Sequence, residues 1–424
     1  MNLIAIFIAL VFLYSLISGR LERTVVTAPM LFTAAGMLML LFLPELWERK
    51  GSLEVFLRVA EVGLVLLLFT EASRTDLRVL NNIRNLPVRL LSRGMLLTIV
   101  LGGLVALAVF PQLTVWEAGI LAAILAPTDA GLGQIIVNSP RVPIRIRQAL
   151  NVEAGLNDGL SVPFLLFFMA LAGTLVEGHH ASLTRFIMEQ LGFGALVGVG
   201  IGLLGGWLLG LARRQEWMAE SFQQLGVVAL PLLCVLASDA VGASMFIAAF
   251  VAGLVVQAGF KEAGKDSGQF AEEWGQLLNL FVFFLFGILV ARAGHQFTVP
   301  YLLYAILSLT LVRMLPVAIA LLGSRLQKAT VLFMGWFGPR GLASIVLGLV
   351  YLEHEMYLPG ESTIRLAVMA TVSLSIFAHG LTAMPGISLY AKHVGALDAS
   401  APEQQRAEVK LAGEDSHVTP STSS

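Results

Sequence analysis

The sequence predicts an all-α polytopic membrane protein of about thirteen transmembrane helices, two of them discontinuous. Three observations predict it. The 424 residues are 57% hydrophobic and only 13% charged, whereas a soluble globular chain is about 25% charged. The apolar residues come in long runs of about 20, the length that crosses a bilayer as a helix. Two of these runs are interrupted near mid-span by proline and glycine.

The runs lie near 3–18, 25–44, 54–72, 88–110, 115–138, 148–174, 186–213, 222–238, 240–257, 274–292, 298–323, 329–352 and 363–385. The first lacks a basic leader and a small-residue cleavage site, so it reads as a retained helix. Thirteen spans can be tested by charge, because Lys and Arg concentrate in cytoplasmic loops. Connections after odd-numbered spans, with the C-terminal tail, hold 19 of the 27 basic residues, and those after even-numbered spans hold six. Lys and Arg in the outer turns of a span are counted here with the adjacent connection; the other two, Arg313 and Arg340, fall deep inside spans. The expected topology has the N-terminus outside and the C-terminus in the cytoplasm. Residues 1–390 form one transmembrane domain, and 391–424 read as a short disordered cytoplasmic tail.

The seventh span carries Gly194, Gly198, Gly202, Gly206 and Gly210. A glycine at every fourth position makes a stripe against which another helix can pack closely. The single cysteine, Cys234, stands in an apolar run and reads as a buried, inert thiol. The net charge of −1 offers no basic surface for nucleic acid. Zinc-ligand spacings, a P-loop and a nucleophile elbow are all missing, so neither an enzyme nor a cofactor is expected.

The chemistry lies in the charges that remain inside the spans. A carboxylate at mid-bilayer costs roughly 2.5–3.5 kcal/mol on insertion scales, and the sixth span, NVEAGLNDGLSVP, holds two. At about 100° per residue, Glu153 and Asn157 nearly share a face, while Asp158 points elsewhere. One carboxylate can therefore pair with an arginine while the other faces a cavity. Glu153 is assigned to the pair, with Arg340 as first choice and Arg313 as the alternative. Asp158 is left unpaired. Desolvation penalises its charged form, which suits it to exchange a proton.

The fifth span, WEAGILAAILAPTDAGLGQIIVN, should break around 126–131, since Pro127 removes a donor and clashes with the preceding turn. Asp129 can neutralise the positive end of the second half-helix, or ligate an ion directly. Thr128 can offer its carbonyl and hydroxyl to a cation. The twelfth span breaks likewise at Gly338-Pro339-Arg340-Gly341. Two interrupted spans an odd number apart fit an inverted repeat, whose site lies at the midplane beside the breaks. Asn157 is expected to tie the sixth helix to the broken fifth. Glu71 is either a solvated helix-end carboxylate or a cation ligand. Glu61 reads as packing or snorkelling, Asp239 as a residue at a helix junction, and His379 as hydrogen-bonded structure.

Taken together, APTDAGLGQIIVNSP, NVEAGLNDGLSVP and GWFGPRGLASIVLG resemble the monovalent cation:proton antiporters of the first cation–proton antiporter family, the sodium/proton exchanger group with an Asn-Asp pair. The resemblance spans essentially residues 1–390. It implies that Asp158 binds Na⁺ or H⁺ in turn, that Thr128 and Asp129 occupy an unwound crossing, and that Glu153 forms a buried pair with an arginine. It also implies that Glu71 contributes a ligand and that the protein is a homodimer, in a bacterial inner membrane by expectation. Two departures stand out. Ala154 sits where some relatives carry a serine, and GPRG replaces GLRG. With Asn rather than Asp at 157, one titrating carboxylate remains in the pair, which predicts electroneutral exchange of one proton per cation. Na⁺ is the first expectation, with Li⁺ or K⁺ as alternatives. Rival readings are a carrier of the same fold exchanging K⁺ or coupling an organic anion to Na⁺, and an intramembrane aspartyl protease. The last lacks the Gly-x-Gly-Asp pattern at both aspartates.

Overall fold

The computed structural model describes residues 3–21, 24–42, 52–74, 86–177, 185–186, 188–260, 263, 268–353, 358–395, 397 and 401–403. A helix stands at each of the thirteen expected positions, and no strand occurs among the described residues. This is the arrangement a lipid environment demands, since helices satisfy every backbone polar group internally. The first four spans are α1 (Leu3–Leu21), α2 (Ala28–Phe42), α3 (Ser52–Arg74) and α4 (Pro87–Val109), the last with a π-helical turn at Leu90–Gly94. The fifth is split into α5 (Val115–Ile124) and α6 (Ala130–Val137). Then follow α7 (Ile144–Glu177), α8 (Met188–Arg214), α9 (Glu220–Val241), α10 (Met245–Val256) and α11 (Gly268–Ala293). The junction at 238–240, where the sequence divides two spans, falls at 242–244, with Gly242 in the left-handed conformation.

Helix ends elsewhere shift by up to six residues, and two larger differences from the sequence reading occur. The eleventh span divides at Thr310 into α12 (Val299–Leu309) and α13 (Leu311–Ala320). No proline or glycine marks this division. The Thr310 hydroxyl instead bonds back to the Ile306 carbonyl at 2.6 Å, a contact that bends helices. The twelfth span is α14 (Lys328–Trp336) and α15 (Leu342–Glu353). The thirteenth, α16 (Glu361–Val394), runs nine residues past its expected end at 385. The outer part of the tail, from 404, lies outside the described residues.

The helices pack as two groups. In one, α2 and α3 lie against α11, α3 and α8 lie against α10, and α9 packs on α8 and α10. Phe7 of α1 joins this group through edge contacts with Phe32 and Phe281. The glycine stripe of α8 lies on α10, where a β-carbon at 198, 202 or 206 would strike the backbone carbonyl of Ala248, Ala252 or Val256. In the other group α4 packs on α5, α5 on α7, α13 on α14 and α12 on α16. The groups meet where α7 and α15 face α3 and where α7 faces α10.

Candidate functional site

The site is built on the two breaks, which touch through their backbones. The Asp129 amide donates to the Pro339 carbonyl at 2.8 Å. Each interruption leaves helix-end groups without intrahelical partners, and charged side chains supply them. Asp129 caps both second half-helices: its Oδ1 accepts from the Leu132 amide at 2.8 Å and its Oδ2 from the Leu342 amide at 2.5 Å. Arg340 serves the opposite pole, donating to the carbonyls of Ala126 and Pro127 at the end of α5. Anion at N-termini and cation at a C-terminus is the arrangement the helix dipoles favour.

The sequence reading of Arg340 as first partner for Glu153 is therefore wrong. Glu153 pairs with Arg313 of α13, Nη1 to Oε1 at 2.5 Å and Nη2 to Oε2 at 3.0 Å, with both side chains 4% exposed. Arg340 turns its Nη1 to the carbonyls of the broken fifth span and makes no ion pair with Glu153. The glycines of GPRG follow from these neighbours. A β-carbon at Gly338 would collide with the Arg313 guanidinium, and one at Gly341 with the Asp129 carboxylate.

The sequence singled out no partner for the rest of this crossing. The Arg340 amide donates to Ser375 Oγ at 2.6 Å. His379 Nδ1 lies 3.1 Å from the same hydroxyl, and its Nε2 donates to the Trp336 carbonyl at 2.9 Å. His379 is thus structural, as expected, completing the end of α14. The available signal was the spacing of Ser375 and His379, four residues apart on one face of α16.

Asn157 donates to Thr128 Oγ1 at 2.7 Å, both side chains being buried, which ties α7 to the fifth-span break as expected. Next to it Asp158 is 3% exposed, and its Oδ1 has no hydrogen-bond donor. The carboxylates of Glu71 and Asp129 lie near enough to act on it electrostatically. Glu71, on α3, lies against Gly155 of α7, so two carboxylates from opposite helix groups meet at the seam. Asp129 is taken up by the backbone amides of Leu132 and Leu342.

A narrow cleft of about 10 Å³, room for about one water, is lined by Thr128, Asp129 and Pro339 together with Val137, Leu150 and Phe337. Ala154 and Glu153 line it, and Asp158 stands one turn beyond Ala154 on α7. Away from the crossing, Glu61 is buried and paired with Arg58 at 3.2 Å. Asp239 is exposed near the end of α9. Cys234 is buried, as expected.

The family described as sodium/hydrogen exchanger, transmembrane, matches residues 6–386. A Na⁺/H⁺ antiporter of Schizosaccharomyces pombe is 28% identical over 274 residues, covering 60% of this chain and 58% of that protein. A sodium, potassium, lithium and rubidium/H⁺ antiporter of Bacillus subtilis is 29% identical over 189 residues, 44% of this chain and 28% of that one. The chain spans less than two thirds of the length of these relatives. Two structures of the sodium proton antiporter MjNhaP1 from Methanocaldococcus jannaschii superpose with TM-scores of 0.71 and 0.75 at 20% identity. Both cover 94% of this chain, and it covers 98% and 100% of theirs.

Proposed function

The chain belongs to the sodium/hydrogen exchanger family, and from that premise we propose that it exchanges a monovalent cation for H⁺ by alternating access, with Asp158 carrying either ion in turn. One observation carries this reading: two buried carboxylates lie within six residues, Glu153 neutralised by Arg313 and Asp158 with an Oδ1 that no donor meets. A buried charge with no counter-ion is costly, so the bare site is unfavourable, and binding either a proton or a hard cation relieves it. Thr128 and Glu71 add oxygen to the set, and hard cations prefer oxygen ligands. Asp129 serves as the dual cap that holds the crossing open rather than as a principal ligand. If the empty, charged state seldom crosses, transport is obligatory exchange.

Na⁺ is the favoured substrate. The relatives' names also include K⁺, Li⁺ and Rb⁺, and Ala154 on the cleft wall takes a hydroxyl away from the coordination set. The neutral Asn157 beside Asp158 leaves one proton exchanged per cation, with no net charge moved. The positive-inside pattern favours a cytoplasmic C-terminus, and we infer a homodimer in a bacterial inner membrane.

The test is proton flux in proteoliposomes challenged with each cation in turn. Asp158→Asn is expected to abolish flux while the protein still folds; undiminished flux in that variant would remove the basis of the mechanism. Flux is also expected to ignore an imposed membrane potential. A rate or end point that follows voltage would replace the one-to-one stoichiometry with an electrogenic one.

A further inference from the structure

The end of α14 remote from the crossing is capped by a residue that neither the exchange mechanism nor the helix itself accounts for. The first half of the fifth span caps itself: Thr114 and Glu117 of α5 form a reciprocal capping box. The first half of the twelfth does not, since Gln327 precedes α14 without a side-chain cap. One of its orphan donors is met by Glu403, whose Oε1 accepts from the Gln327 amide at 2.7 Å and also from the Thr330 hydroxyl at 3.0 Å. Glu403 is fully buried although it follows the last span and stands in the polar tail. Its carboxylate also sits at the positive end of the α14 dipole.

The same segment grips a second element. The carbonyl of Pro402 accepts from Arg145 Nη1 at 2.6 Å, and Arg145 is the second residue of α7. Tyr390 of α16 donates to Thr330 Oγ1 at 3.1 Å and stacks on Phe333 with ring centroids 4.1 Å apart. The tail thus ties the start of α14 to the start of α7, and Tyr390 ties the end of α16 to α14.

What α14 carries at its other end gives this contact a consequence. Nine helical residues span about 13 Å as a stiff rod. Immediately after it come Phe337 and Pro339 on the cleft wall, then the Pro339 carbonyl that holds the Asp129 amide beside Thr128. A displacement of the capped end along the rod is passed to the crossing, because both ends are held by hydrogen bonds rather than by slack chain. α7, gripped through Arg145, carries Asn157 and Asp158.

We propose that residues 401–403 form a strap that sets the position of α14 against α7, making Glu403 a positioning residue for the cation site although it touches no transported ion. This rests on the exchange reading above, and the experiment separates the two. Full-length Glu403→Ala and two truncations, removing 404–424 or 398–424, are reconstituted for cation-driven proton flux. Amide hydrogen exchange over 327–336 is followed in parallel. Removing 404–424 keeps the strap and is expected to leave both readouts as in the full chain. Glu403→Ala and removal of 398–424 are expected to speed amide exchange at the start of α14. They should also raise the half-saturating cation concentration by about two- to thirtyfold, the range that mutations along a coupling network produce, with a smaller effect on maximal rate. Glu403→Gln, which keeps an acceptor oxygen without the charge, should fall between, and it replaces the alanine variant if that one does not fold. An α14 as protected in Glu403→Ala as in the full chain overturns the strap. So does a loosened α14 with unchanged half-saturation, which would mean a merely structural cap. If the full chain shows no cation-driven flux, the exchange reading falls by itself, and amide protection still decides whether the strap exists.

Discussion

Glu153 and Asp158 are five residues apart on α7, equally buried, and opposite in energetic character. Glu153 is held by a two-point bond to Arg313, and removing one partner of a buried pair leaves an uncompensated charge that costs about 3–5 kcal/mol. Asp158 already lacks an arginine, so replacing it with the neutral Asn removes a desolvation cost instead of creating one. Glu153→Ala is therefore expected to melt well below the parent protein in detergent, and Asp158→Asn at or above it. A stabilising effect of Glu153→Ala, or a collapse of Asp158→Asn, would reverse the division of roles between the two. This division was legible in the sequence, because 100° steps along a helix separate the two side chains and only Arg313 and Arg340 lie deep within spans. The identity of the partner was not legible. Helical periodicity fixes faces within one helix but not the register between helices. The demand that decides the matter comes from the Ala126 and Pro127 carbonyls, which become orphans only once the fifth span is folded and broken.

Among the elements, the breaks and the glycine stripe show how much a local pattern can carry. Pro127 and Pro339 mark the interruptions because their effect is covalent and local, and a glycine every fourth residue defines a face whatever it packs against. The stripe on α8 meets α10 with backbone against backbone, so its fit is testable by position. Gly202→Val would push side-chain carbon into the Ala252 carbonyl and Val255, and such overpacking costs about 1–3 kcal/mol. Gly200, two residues earlier and exposed, has nothing within 4 Å of a β-carbon. Gly200→Ala is expected to be neutral or to stabilise by about 0.5–1 kcal/mol through helix propensity. Equal melting temperatures for the two variants would show that α8 and α10 do not meet along this stripe. Elements without such signatures stayed hidden. The division at Thr310 depends on one hydroxyl bonding back to Ile306, and the Glu403 cap lies in a segment whose polar composition reads as disorder. Composition registers how much apolar surface a segment has to bury, and it cannot register a single carboxylate that finds two donors 73 and 76 residues away.

For the whole molecule, the position of the site relative to the two helix groups matters more than any ligand. Asp158 and Gly159 on α7 belong to one group, while Glu71 on α3 and Phe250 on α10 belong to the other, and a β-carbon at Gly159 would press into the Phe250 ring. A site on a seam changes its exposure when one group slides against the other, whereas a site buried inside either group would travel with it unchanged. Packed interfaces of this kind have discrete arrangements rather than a continuous range, so holding the seam in one of them should hold the access state. Cysteines replacing Gly159 and Phe250, in a chain with Cys234→Ser, place two thiols across the seam after the ring has been removed. Oxidation to the disulfide is expected to cut cation-driven proton flux by about tenfold or more, as expected when the rate-setting conformational step is blocked, and reductant should restore it. The reduced double variant serves as the reference, which separates the effect of the bond from that of the substitutions. Full flux through a protein shown by mass spectrometry to be cross-linked at 159 and 250 would mean that the ions pass without relative movement of α7 and α10. The moving boundary would then have to lie along another contact between the groups.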